Sequence, residues 1–194
     1  MALERLKGDL VYRFYLARKD AFADFTNPTA DELNANPTND PDGRIFNLSC
    51  ALDTANTQFD LDGAELDDST TFCQVAGSGE PVSRSATIVY GFNEAKERWL
   101  DGSSTAAVDG FNQATLAKSL LMWQGVEYYA ILSVGKAYDA PFAAGDRVKI
   151  AEVLTDWAVP TTGNGENIVW TANFAKRTDI AWNVVVVDPA SSSS

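Results

Sequence analysis

A chain of 194 residues that is 45% hydrophobic and 11% aromatic is sized for one domain whose folding buries roughly 70% of the surface the unfolded chain exposes, which excludes wholesale disorder. Histidine is absent, and with it go His-based triads, the usual general base near neutral pH and imidazole metal sites. No apolar run approaches the ~20 residues of a membrane-spanning helix, and two cysteines, Cys50 and Cys73, are too few for a disulfide framework and read as reduced, part-buried thiols.

The formal charge of −12 is unevenly spread. From Asp20 to Thr70, twelve acidic side chains stand against a single base, Arg44, whereas Arg5, Lys7, Arg13, Arg18 and Lys19 outweigh Glu4 and Asp9 in the stretch before them. Such lopsidedness bears on solubility, association and steering rather than on fold. The first ten residues alternate charged and apolar side chains and lack the features of a secretory signal, so a cytoplasmic origin is expected.

Strand signals bounded by turn-forming residues recur along the chain. Leu10 to Leu16 is a short aromatic and aliphatic run, and Arg44 to Leu52 is a second segment, preceded by the breaker-rich stretch Asn36 to Gly43, a surface loop. Val82 to Phe92 alternates, with Val82, Ala86, Ile88, Tyr90 and Phe92 on the side expected to face a core. Between Thr105 and Trp123 the β-branched residues thin out, and Ala114 to Met122 consists mainly of helix formers. The apolar arc of that helix, widened by Leu116, Leu120 and Trp123, predicts that it lies clamped against a sheet. Val126 to Val134 and Arg147 to Thr155 then predict a hairpin. After the Gly163-Asn164-Gly165 turn, Asn167 to Ala175 and Ile180 to Val187 are expected to pair as two Trp-bearing strands around Lys176-Arg177-Thr178. The expected whole is a mainly β domain over residues 1–188, a β-sandwich with one flanking α-helix, followed by a frayed tail at 189–194.

The constellations that would carry chemistry are weak. Asp60 to Asp68 places its glycine at the fourth position where a calcium loop wants it at the sixth, and no glutamate closes it; a solvated acidic loop is the better reading. Glu127 and Glu152 approach one another if their strands pair, but spacing alone does not make them an acid pair. Gly77-Ser78-Gly79 lacks the nucleophile-elbow pattern, and glycine-rich phosphate cradles are missing. Adhesion to nucleic acid needs clustered Lys and Arg, and the largest charge cluster here repels phosphate. Trp170, Trp182, Tyr128 and Tyr129 read as core before they read as a carbohydrate platform.

Five stretches carry a resemblance: Asp109-Gly110-Phe111-Asn112, Gly125-Val126-Glu127-Tyr128-Tyr129-Ala130, Asp156-Trp157-Ala158-Val159-Pro160, the run Ile168 to Phe174, and Asp179-Ile180-Ala181-Trp182-Asn183. In order and texture they are similar to the major tail (tail tube) proteins of long non-contractile-tailed phages, especially those infecting actinobacteria. The resemblance implies a non-enzymatic virion protein without cofactor. Six copies would close into a ring, rings would stack into a tube between capsid and tail tip, and long strands would join neighbouring subunits in a β-barrel around the bore. The implied partners are further copies of the chain, a tape measure protein and tip and terminator proteins, with DNA passing through unbound and no membrane involved. Physics is compatible with this. A closed barrel leaves no free sheet edge, and head-to-tail contacts propagate as filaments. The uneven charge yields two further expectations: Arg5, Lys7 and Arg13 as ring-stacking candidates, and Asp53, Asp60, Asp62, Glu127 and Glu152 as lumen candidates, since an anionic wall prevents DNA adhesion within about 8 Å. The alternative is a monomeric β-sandwich that binds carbohydrate or protein or decorates the virion; a carboxylate-pair hydrolase stands third.

Overall fold

Tyr12–Arg18 (β1), Glu127–Val134 (β5) and Arg147–Thr155 (β6) supply the strands around which the chain is organised. The structure, a computed structural model, describes residues 12–35, 43–53, 56–61, 86–93, 116–161 and 168–188, and along the strands it omits the side chains of 60–61, 86–87, 93, 161, 176–180 and 182. The remaining elements are a short helix α1 (Ala30–Asn34), β2 (Ile45–Asn47), a 3-10 turn (Ser49–Ala51), β3 (Gln58–Leu61), β4 (Ala86–Asn93), a helical segment at 116–121, β7 (Val159–Thr161) and β8 (Val169–Val185). All strand pairs are antiparallel, in the order β2-β1-β5-β6-β8-β4-β3 with β7 on β8. No described helix is long and apolar enough to cross a membrane.

Tyr128 to Ser133, six consecutive residues of β5, are buried. A strand with one wet face would alternate, so both faces of the β1-β5-β6 sheet are covered. On one face Phe14, Leu16, Tyr128, Ala130, Ala151 and Val153 pack against Tyr90 and Phe92 of β4 and Ala172 and Phe174 of β8. The Phe14 and Tyr90 rings stack with centroids 4.4 Å apart, although a flat sheet would hold β1 and β4, four strand steps apart, at roughly 19 Å. The sheet therefore rolls over on itself into a sandwich. Leu116, Ala117, Leu120 and Leu121 of the helical segment plug the roll, which realises the expected clamped helix; of the expected run, Ala114 and Thr115 lie outside the described residues.

The opposite face carries Tyr15, Ala17, Ile45, Tyr129, Ile131, Val148 and Ile150 beneath Leu33 of α1 and Phe142. At five residues α1 is too short to persist alone. A capping box holds its start, with Glu32 N donating to Thr29 Oγ1 (3.2 Å) and Thr29 N donating to Glu32 Oε2 (2.9 Å). Asn34 then donates to Phe142 O and accepts from Phe142 N, both at 2.9 Å. The signal, Thr29 followed by Glu32 three positions on, stands in the sequence, but the run is too short for helical periodicity to register.

Two expectations about strands are corrected. Residues 168–187 form no hairpin: β8 runs unbroken for 17 residues, about 55 Å of chain, so Trp170 and Trp182 share one strand. Lys176-Arg177-Thr178 contains none of the residues a tight hairpin turn requires, and Lys176 instead pairs with Val153. The ladder to β6 shifts register twice, and Asn183 lies in one shift with φ +64°, which breaks the alternation expected from Ile180 to Val186. The second segment also ends early, after Asn47, because the Asn47 carboxamide oxygen accepts from both Ser49 N (3.0 Å) and Ser49 Oγ (2.7 Å) and turns the chain into the 3-10 helix. Residues 36–42, 62–85, 162–167 and 189–194, with most of the breaker loop, the acidic run beyond Leu61, Cys73, Gly77 to Gly79, the Gly163 turn and the tail, lie outside the described residues.

Candidate assembly surfaces

The lumen candidates do not converge. Glu127 lies opposite Leu154 and Glu152 opposite Tyr129, so both carboxylates share the face of Tyr129 and stand diagonally, at a spacing of roughly 7–8 Å. Asp60 sits on β3 opposite Thr87, at the far end of the strand order. Asp53, close by, accepts from Asn56 Nδ2 (2.7 Å) at Oδ2 and from Thr57 Oγ1 (2.6 Å) at its carbonyl, and its N–H donates to Gly91 O (2.7 Å). It fastens the bend at Asn56 and Thr57 beside β4. Asp62 is outside the described residues. Glu152 is paired with Lys19, whose ammonium also lies 4.3 Å from the Tyr129 ring centroid. Partial burial works against the Lys19 charge, and the contacts with Glu152 and Tyr129 overcome it, raising its pKa. Among the described residues no group of three His, Cys, Asp or Glu side chains is placed to share a metal ion.

Arg13 is not a surface charge. It is 1% exposed, stands opposite Ser133 on the α1 side of the sheet, and donates to Ser133 Oγ (2.8 Å), Ala140 O (3.1 Å) and Asp146 Oδ2 (3.4 Å). Its guanidinium carbon lies 4.1 Å from the Phe142 ring centroid. Asp146 also takes Lys136 Nζ (2.5 Å) and Ala143 N (3.2 Å). Burial disfavours the Asp146 charge, but Lys136, the Ala143 N–H and Arg13 outweigh it and hold the carboxyl below its ordinary value. This network clasps the 135–146 connection to the sheet, which removes Arg13 from the ring-stacking candidates; Arg5 and Lys7 lie outside the described residues.

Of the aromatics weighed as a platform, Tyr128 and Tyr129 are buried and Trp170 packs against the core, stacked on Phe92 at 6.4 Å. The exposed aromatics are others. Trp123, expected to widen the helix arc, falls beyond the helix end and is 65% exposed; Trp157 is 55% exposed and Val159 likewise stands out. The corner that carries them is laced tight. Thr155 Oγ1 donates to Trp123 O (2.6 Å) and accepts from Val126 N (3.0 Å), and Asp156 Oδ1 accepts from Gln124 Nε2 (3.0 Å) and Trp157 N (2.8 Å). At the other end of the same strands Tyr12 pairs with Val134, and both are exposed beside an open cavity of about 330 Å³ that they line with Leu52, Phe59, Leu132 and Lys149. Sequence periodicity missed both ends, since it reports which side of a strand a residue takes and not whether anything covers the strand's tip.

A family model described as phage tail tube protein matches residues 5–189, and no curated protein matches the chain.

Proposed function

Because this chain belongs to the phage tail tube proteins, a family that implies self-assembly within the virion tail, we propose that its copies close into six-membered rings, that the rings stack, and that the bore conducts DNA from capsid to host. The observation that carries this reading is a family match spanning nearly the whole chain. It equally supports taking residues 1–188 as one folding unit, since the described sheet joins β1 to β8. The subunit acts without catalysis, waits in the host cytoplasm, and in the tail meets the tape measure and the tip and terminator proteins. A siphovirus-type tail of an actinobacteriophage is the source that its sequence texture supports.

The length of β8 supports a role in a shared barrel. A strand of about 55 Å outruns its partners: β4 takes its first six residues, and the nine residues of β6 take the rest only with register shifts. Asp53, Asp60, Asp62, Glu127 and Glu152 remain the lumen assignment, with Glu152 contributing least because Lys19 balances it. Arg5 and Lys7 remain the stacking assignment. Electron microscopy of the purified chain over a concentration series tests the core of the proposal: tubes or six-fold rings are expected, and monodisperse single subunits at every concentration refute it. Neutralising the five carboxylates should slow DNA ejection, and Arg5→Glu with Lys7→Glu should shorten tubes at low salt.

A further inference from the structure

We propose that the contact between successive copies is a head-to-tail one in which the corner bearing Trp123 and Trp157 of one subunit seats in the cavity lined by Tyr12, Leu52, Phe59, Leu132 and Val134 of the next. This inference rests on the tail tube reading and names the surfaces through which the chain meets itself.

The two features lie at opposite ends of the same strands. Trp123 precedes β5 and Trp157 follows β6, whereas Val134 closes β5 and Tyr12 opens β1 opposite it. The length of β5 separates them by roughly 24 Å. A convex patch and a concave one at the two poles of one subunit make a heterologous pair, the kind that propagates instead of closing on a dyad. Two exposed indoles on a rigid corner are the aromatic anchors found at the centres of interfaces, and the cavity falls in the size range of sites that enclose a bound group. Charge agrees as well: Asp156 stands beside Trp157, and Lys149 forms part of the cavity wall. A face-to-face contact between two Trp corners would instead bring two Asp156 carboxylates together and leave both cavities open. Pro160 in β7 offers no N–H, so this corner is suited to side-chain packing and not to the addition of a further strand.

The test uses the full chain with Cys50→Ser and Cys73→Ser. Chains carrying Val159→Cys, which keeps both indoles, are mixed with chains carrying Val134→Cys under mild oxidation at assembling concentrations, and disulfide-linked heterodimers are expected to exceed either homodimer. Predominant Val159→Cys homodimers overturn the proposal, as does the absence of any cross-link while the parent chain forms tubes. In parallel, Trp157→Ser, checked for unchanged unfolding temperature, should raise the critical concentration for assembly about 30-fold, the effect of losing one hot-spot side chain; an unchanged critical concentration counts against the contact. A parent chain that never assembles refutes the tail tube reading itself and the contact with it.

Discussion

Replacing Arg13 with Met should destabilise the isolated subunit by about 3 kcal/mol without a specific effect on assembly. Truncating one partner of a buried charge pair costs about 3–5 kcal/mol, largely because the other charge is stranded. Here the low end applies, because Asp146 keeps Lys136 at 2.5 Å and Ala143 N at 3.2 Å and Ser133 keeps its own bond to Arg147 O at 3.2 Å, while Met restores most of the apolar stem. What is lost is the contact with Asp146, the donations to Ser133 Oγ and Ala140 O and the stacking on Phe142. Urea unfolding of the unassembled subunit at neutral pH measures the change directly. In a thermal melt, about 3 kcal/mol should appear as a fall of roughly 6–12 °C for a chain of this size. The double variant Arg13→Met with Asp146→Asn should cost less than the sum of its two single changes, because each of them already removes the Arg13–Asp146 contact. A cost below about 0.5 kcal/mol, the range of ordinary surface substitutions, together with shortened tubes, would refute this reasoning and return Arg13 to the stacking face.

Three further outcomes follow from local geometry. A carboxyl whose folded pKa lies below its unfolded value of about 3.9 adds stability that is present above that pH and drains away as pH falls through the folded value; Asp146 is such a group, so unfolding free energies of the parent and Asp146→Asn should converge below about pH 4, and parallel curves would exclude its contribution. Gly91→Ala would set a Cβ 2.9 Å from Asn56 Cβ and 3.3 Å from the Asn56 carbonyl carbon, forcing the bend that Asp53 fastens to move; a loss of about 1–3 kcal/mol is expected, and an unchanged melting temperature would contradict the close approach. Thr29→Ala removes the acceptor for Glu32 N and should cost about 1 kcal/mol, read by urea titration and by faster hydrogen exchange in α1 than in β5.

Local pattern located what depends on local chemistry. β5 and β6 begin and end within a residue of where the aliphatic and aromatic runs of Val126 to Val134 and Arg147 to Thr155 place them, and the core side of β4, Ile88, Tyr90 and Phe92, follows from simple alternation, because side-chain period and propensity are properties of the segment itself. β8 shows where that stops. Its middle carries three polar residues that look like a reversal in isolation, and only β6 alongside, with open hydrogen-bonding groups for Lys176, makes extension the better choice.

The same division governs the surfaces. Sequence alone determined that this is a mainly β chain with a central helix, lopsided in charge, without histidine, and textured like a tail tube protein. Tertiary structure decided which charges and rings are available for contact: it folded Arg13 inside, set Lys19 against Glu152, and left Trp123 and Trp157 in the open. The physical reason is that burial is a property of pairs of distant segments. Ser133 and Asp146 stand 120 and 133 positions from Arg13, and no pattern within a strand announces which remote side chain will arrive to cover it or to neutralise its charge.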